Sequence, residues 1–120
     1  ADINLAAAQE TAAIIKAEGG EAFALRTDVT DSGSIAELVS LTLERYGRID
    51  ILDNNVGIAE VGSVVDLSEE VWERVFKVNL TGAFLAMKHV IPVMQRQFEE
   101  TGEGGSIRNG DSPWVLTALP

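Results

Sequence analysis

Leu5, Ala8, Ala12 and Ile15 recur at helical spacing and stop at Gly19-Gly20, which predicts a helix over about Leu5 to Glu18. Ala22, Phe23, Ala24 and Leu25 form a short unbroken apolar run, the pattern of a buried strand. Thr30 or Asp31 is placed to accept from the free N–H groups of a second helix. That helix carries the stripe Ile35, Leu38, Val39, Thr42, Leu43 and Tyr46, and Gly47 closes it. Ile49 to Leu52 reads as the next strand. Ser68 is a further cap, followed by Glu69 and Glu70 on the positive end of the helix dipole. Val71, Trp72, Val75 and Phe76 fill that short helix, with Trp72 expected in the core. Leu80, Ala83, Phe84, Met87, Val90, Ile91, Met94 and Phe98 then mark a long helix with a wide apolar face, His89 on its surface. Pro92 lies within it and lacks the N–H that its turn requires, so a bend is expected there. Strands alternating with helices imply an α/β fold, a doubly wound, Rossmann-like parallel sheet with flanking helices.

Composition narrows the field of partners. A net charge of −10 disfavours nucleic acid and anionic membrane surfaces, whose phosphates would repel it. The chain has no cysteine and one histidine, His89, so neither a disulfide framework, thiolate chemistry nor a zinc site is expected. No stretch is long and apolar enough to span a bilayer. No basic-then-apolar leader opens the sequence, which makes the cytoplasm the expected location. One domain is the natural expectation for 120 residues.

Two segments stand out chemically. Ile49 to Gly57 is an apolar run ending in Asn54-Asn55-Val56-Gly57, where small residues and amides let a ligand approach backbone at a strand end. An ordinary strand-to-loop turn uses the same residue types. Val78-Asn79-Leu80-Thr81-Gly82 places an amide inside a helical pattern, where Asn is a mediocre former. Together these segments resemble the middle of a short-chain dehydrogenase/reductase, a family of nicotinamide-dependent oxidoreductases.

The resemblance covers nearly everything from Ala1 to Ile107 and implies roles residue by residue. Asn55, Val56 and Gly57 match the family's Asn-Asn-Ala-Gly motif beside the ribose and nicotinamide, with Val56 in place of alanine. Asp28-Val29 matches an Asp-Val pair that contacts adenine; as a plain sequence, Asp28 is also a helix-capping acid. Asp2 stands at the end of the family's second strand, where a carboxylate binds both ribose hydroxyls. That implies NAD rather than NADP, although Asp2 also reads as a frayed terminal residue. Asn79 matches one of four catalytic residues, an Asn that interrupts its helix and holds a water in the proton relay. It equally reads as a structural break between two helices. Ser112 aligns without gaps to the catalytic serine. Its surroundings depart from the pattern, because Arg108, Gly110 and Asp111 stand where a buried parallel strand should be apolar. Residues 1–107 therefore read as a partial dinucleotide-binding domain and residues 108–120 as an atypical tail.

The family's tyrosine, with a lysine four residues later, has no counterpart in these residues. Tyr46 is followed at that offset by Asp50 and reads as core. An unaided phenol, with a pKa of about 10, is a poor base at neutral pH. No Gly-x-x-x-Gly-x-Gly occurs either, so no helix N-terminus is prepared for a pyrophosphate. Asp53 sits where the family has an aliphatic residue, and a buried carboxylate without a partner costs several kcal/mol.

The expected function is thus that of a truncated dehydrogenase, inactive by itself. The alternatives are a non-enzymatic partner-binding module or a functionless remnant. The matched strands are not neighbours in the family's sheet, so three outcomes are open: the first repacks beside the second, another chain fills the gap, or the piece folds poorly. The Leu80–Phe98 helix matches one that forms dimers, which implies a homo-oligomer.

Overall fold

The computed structural model describes residues 1–110. Asn4 caps α1 (Leu5–Ala17), its side-chain oxygen accepting from the N–H groups of Ala6 and Ala7. The chain leaves α1 through Gly19, whose φ of 87° is a left-handed conformation that suits glycine. Asp31, not Thr30, caps α2 (Ser32–Tyr46), which Gly47 ends in the same left-handed region. β1 (Ile51–Asn54) follows, then α3 (Glu69–Phe76) behind the Ser68 cap. A π-helical turn, Lys77–Thr81, joins α3 directly to α4 (Gly82–Thr101), and β2 (Ser106–Asn109) completes the described chain.

β1 and β2 pair in parallel, with Ile51 opposite Ser106 and Asn54 opposite Asn109. This two-stranded sheet lies against α4, and the packed centre comprises Ile49, Val90, Val93 and Met94 with Val39, Leu43, Leu52 and Ile107 around them. The architecture is α/β with a small parallel sheet and flanking helices, as the sequence pattern implies.

Several expectations are corrected. Residues 22–25 do not form a strand. They are half-buried, and this stretch pairs only through a parallel bridge between Asp2 and Arg26. A ladder needs a partner at successive residues, and here only Asp2 supplies one: its N–H donates to Leu25 O (3.2 Å) and its carbonyl accepts from Thr27 N–H (2.9 Å). Asp2 is therefore held in a bridge and not frayed. The first strand region does not repack beside the second, because β1 pairs with β2 alone among the described residues.

The strand expected at Ile49–Leu52 starts two residues later, at Ile51. The reason is a side chain. Gln97 of α4 accepts from Ile49 N–H and donates to Ile49 O, both at 2.8 Å, which occupies the backbone groups a ladder would use. Ser106–Asn109 is a strand despite its polar sequence, and Arg108 and Asn109 are exposed on it, so the requirement for continuous apolarity does not apply. Asp53 is likewise exposed and avoids the cost of burial.

Trp72 is not core. It is 59% exposed and stacks on Phe76 at 4.4 Å between ring centroids. Tyr46 is also partly exposed, packed on Phe23 at 5.6 Å with Arg45 over both rings. His89 is half-buried and joins Ser32 Oγ through Nε2 at 2.9 Å. α4 runs through Pro92, which lies on its exposed side.

Thr27 is buried, 4% exposed, and its hydroxyl makes no hydrogen bond among the described residues. An unsatisfied buried hydroxyl costs about 1–3 kcal/mol. Thr27→Val removes it at nearly constant shape and is expected to stabilise the chain by about 1 kcal/mol in urea denaturation. Unchanged or lower stability would mean that water already satisfies this oxygen.

No helix among the described residues is long and apolar enough to cross a membrane.

Candidate functional site

Asn79 sits at the centre of the π-helical turn. Such a turn inserts one residue into the helical ladder and redirects its side chain. The helix is therefore continuous from Glu69 to Thr101, and the expected break is a bulge. Asn79 Oδ1 accepts from Ile58 N–H and Asn79 Nδ2 donates to Ile58 O, both at 2.8 Å. One amide thus holds both backbone groups of a loop residue immediately after the Asn55-Val56-Gly57 segment. A Cβ added to Gly57 would lie 3.8 Å from Asn79 Oδ1, which sets how near the two segments are.

Asn55, Val56 and Gly57 are exposed at the carboxyl end of β1. The preceding Asn54 is anchored: its Nδ2 donates to Asn109 Oδ1 (2.9 Å), and its carbonyl accepts from Gly110 N–H (2.9 Å). The strand end is therefore fixed by β2 on one side and by the Asn79 amide beyond it.

Asp28 and Val29 form a second segment, just after the Asp2–Arg26 bridge. Asp28 Oδ1 accepts from Thr30 Oγ1 (2.7 Å) and Thr30 N–H (2.9 Å), and Asp28 N–H donates to Ser34 Oγ (3.0 Å). The Thr30 hydroxyl, followed by the Thr30 N–H, holds the Asp28 carboxyl below its ordinary value of 3.8. The folded-state pKa is depressed, so the associated stability is present above that ordinary value and is lost as pH falls through the folded value. A carbon-13 titration of the Asp28 carboxyl is expected to show a midpoint below 3.8, and Thr30→Val is expected to raise it. Coincident midpoints in the two proteins would contradict this account.

Both segments meet the same helical region. Asn79 holds the loop after Gly57, and Gly82, three residues on, contacts Val29. Asp2 stands beside the second segment through its bridge to Arg26, and its Oδ1 accepts from Asn4 N–H at 2.8 Å. Ser112 lies outside the described residues. A cavity of about 350 Å³ bounded by Leu25, Thr27 and Ser34 lies between α1 and α2, away from Asn79, and the two segments rather than this hollow define the site.

Sequence reasoning missed Gln97 and Gly82. Each carried a signal. Gln97 continues the Val90, Val93, Met94 stripe, so an amide occupies a core position and needs backbone to bond. Gly82 is a poor helix former placed inside a helical run, which marks a close approach.

The family model of short chain dehydrogenases matches residues 1–112. The chain belongs to the short-chain dehydrogenase family. Sorbitol dehydrogenase of Cereibacter sphaeroides is 40% identical over 109 residues, covering 91% of this chain and 40% of that protein. An uncharacterized NAD-dependent oxidoreductase of Mycobacterium tuberculosis is 35% identical over 111 residues, covering 92% of this chain and 39% of that protein. Among solved structures, a short-chain dehydrogenase/reductase from Burkholderia xenovorans superimposes with a TM-score of 0.80 at 42% identity, covering 88% of this chain and 40% of that one. A 7α-hydroxysteroid dehydrogenase complexed with NADH and 7-oxo glycochenodeoxycholic acid gives 0.78 at 30% identity, covering 88% and 39%. This short-chain dehydrogenase sequence thus spans about 40% of the length of such relatives.

Proposed function

We propose that these 120 residues are the cofactor-facing middle of an NAD-dependent short-chain dehydrogenase/reductase, whose whole reaction is hydride transfer between NAD(H) and an alcohol or ketone. The observation that carries this reading is the Asn79 bulge, which ties the helix to the loop following Asn55-Val56-Gly57. The NAD-dependent relative and the NADH-bound neighbour support a nicotinamide cofactor.

The residues present suit such a group. Among the described residues, Asp28 Oδ2 and the Val29 N–H make no protein hydrogen bond, which leaves an acceptor and a donor on successive residues for an adenine edge. Asp2 would accept from ribose hydroxyls and repel a 2′-phosphate, favouring NAD over NADP. Asn55, Val56 and Gly57 would line the ribose and nicotinamide half. When bound, the nicotinamide supplies or takes up the hydride. Asn79 retains one Nδ2 hydrogen and one Oδ1 lone pair with which to hold a relay water. No Tyr-x-x-x-Lys stands in these residues to move the proton, so by themselves they are catalytically silent. Ser112 adds nothing to this reading.

Two measurements test it. Calorimetric titration with NADH is expected to show saturable binding, and no binding at millimolar cofactor would overturn the cofactor reading. NADH oxidation by the pure chain with a panel of aldehydes and ketones is expected to match the protein-free rate, and turnover would overturn the silence.

A second reading, self-association, rests on α4 and the turn before it. Leu80, Phe84 and Phe98 are all exposed, Phe84 by 56%, although they lie on a helix with a buried opposite face. An apolar surface of this kind is covered in stable proteins. Light scattering after gel filtration is expected to give a homo-oligomer; a monomer mass at every concentration would overturn this reading.

A further inference from the structure

Gly82 has a backbone that any residue could adopt, with φ −58° and ψ −49°, and alanine would be the better helix former there. What crowds a side chain there is Val29. A Cβ at Gly82 would lie 3.0 Å from Val29 Cγ2, 3.1 Å from Val29 Cβ and 3.4 Å from Val29 O. Rotating the valine side chain relieves only the first of these contacts. The second requires Val29 Cβ to give by a few tenths of an ångström, and the third is ordinary van der Waals contact.

The Val29 backbone is braced by hydrogen bonds of the flanking residues. Asp28 N–H is tied to Ser34 Oγ at 3.0 Å, Asp28 Oδ1 to Thr30, and Asp31 N–H to Asp28 O at 3.1 Å. Asp31 in turn caps α2 through Gly33 and Ser34. The loop is tied to the capped end of α2 and packs on the bare face of Gly82, so a methyl group at Gly82 pushes Val29 by a few tenths of an ångström against these bonds.

We infer that Gly82 is a positioning residue for adenine recognition: its missing side chain lets Val29 seat on the helix so that the Val29 N–H and the Asp28 carboxylate address one adenine edge together. The inference rests on the cofactor reading above. It also joins the two halves of the site mechanically, since Gly82 and Asn79 belong to one continuous helical segment.

The test is titration of the 120-residue chain with ADP-ribose, followed by calorimetry, with far-UV circular dichroism confirming fold. Gly82→Ala is expected to weaken binding about tenfold, the loss of roughly one good hydrogen bond. The double variant Gly82→Ala/Val29→Gly removes the Cβ and Cγ2 that clash while keeping the Val29 N–H, and is expected to bind more tightly than Gly82→Ala alone. A merely structural glycine would not show that recovery. Equal binding by the unaltered chain and Gly82→Ala overturns this inference alone, as does a double variant no better than the single one. Absence of binding by the unaltered chain overturns the inference together with the cofactor reading. If Gly82→Ala does not fold, the double variant must fold and bind, and its failure to do either overturns the inference.

Discussion

Replacing Asn79 with Ala is expected to lower the unfolding free energy by roughly 2–3 kcal/mol and to deprotect the Ile58 amide. Two bonds of 2.8 Å are lost at once, and both are part-buried. The larger effect comes from the partners. Ile58 N–H and Ile58 O remain where they were, now without the amide that satisfied them, and an unmade buried bond costs more than a made one contributes. The π-helical turn also loses its reason to persist, since a regular helix makes better hydrogen bonds than a bulge. Urea denaturation and amide exchange check this result. A loss below about 0.5 kcal/mol would mean that water replaces the amide. Asn79→Asp is expected to be no better, because a carboxylate accepts from Ile58 N–H but repels Ile58 O.

The second large effect is expected at Val90. Val90→Asp should abolish cooperative folding, seen as a urea curve without a sigmoidal transition. Val90 is 3% exposed at the centre of the cluster formed with Ile49, Val93 and Met94. An unpaired carboxylate there costs several kcal/mol even after relaxation. Domains of ordinary stability hold only about 5–15 kcal/mol in total. This chain has less to draw on, since its buried apolar residues among those described are Ala12, Ile35, Ile49, Ala86, Val90, Val93 and Met94. Ile51 is 71% exposed on one face of β1, so the face that a larger core would use is uncovered. A sigmoidal transition with a mildly shifted midpoint would show that Val90 can turn its side chain to solvent.

The burial pattern explains why helices were easier to read than strands. The stripe Ile35, Leu38, Val39, Leu43 sits on α2, and the caps Asp31 and Ser68 accept from N–H groups two or three residues away. Each of those signals is complete within a few residues of itself. Residues 22–25 carried an equally clear apolar run yet formed no strand, because a strand is defined by a neighbour that the run does not contain. Ser106–Asn109 shows the converse, a polar run made into a strand by β1.

The candidate site divides along the same line. The order and spacing of Asp28-Val29, Asn54 to Gly57 and Asn79 were legible at once and pointed to the short-chain dehydrogenase family, which the match over residues 1–112 shows. The shape of Asn79's surroundings was not legible, nor was the role of Gln97. Gln97 bonds a residue 48 positions away and Asn79 one 21 positions away.

By itself, then, the amino-acid sequence determined where the helices run, the Ser68 cap and the family, because hydrophobic period, capping and motif spacing are properties of nearby residues. Only the tertiary structure decided where β1 begins, that Asn79 lies in a π-helical turn rather than a break, that Trp72 faces solvent and that Gly82 receives Val29. Each of these depends on which distant backbone groups and surfaces meet, and no local pattern encodes that meeting.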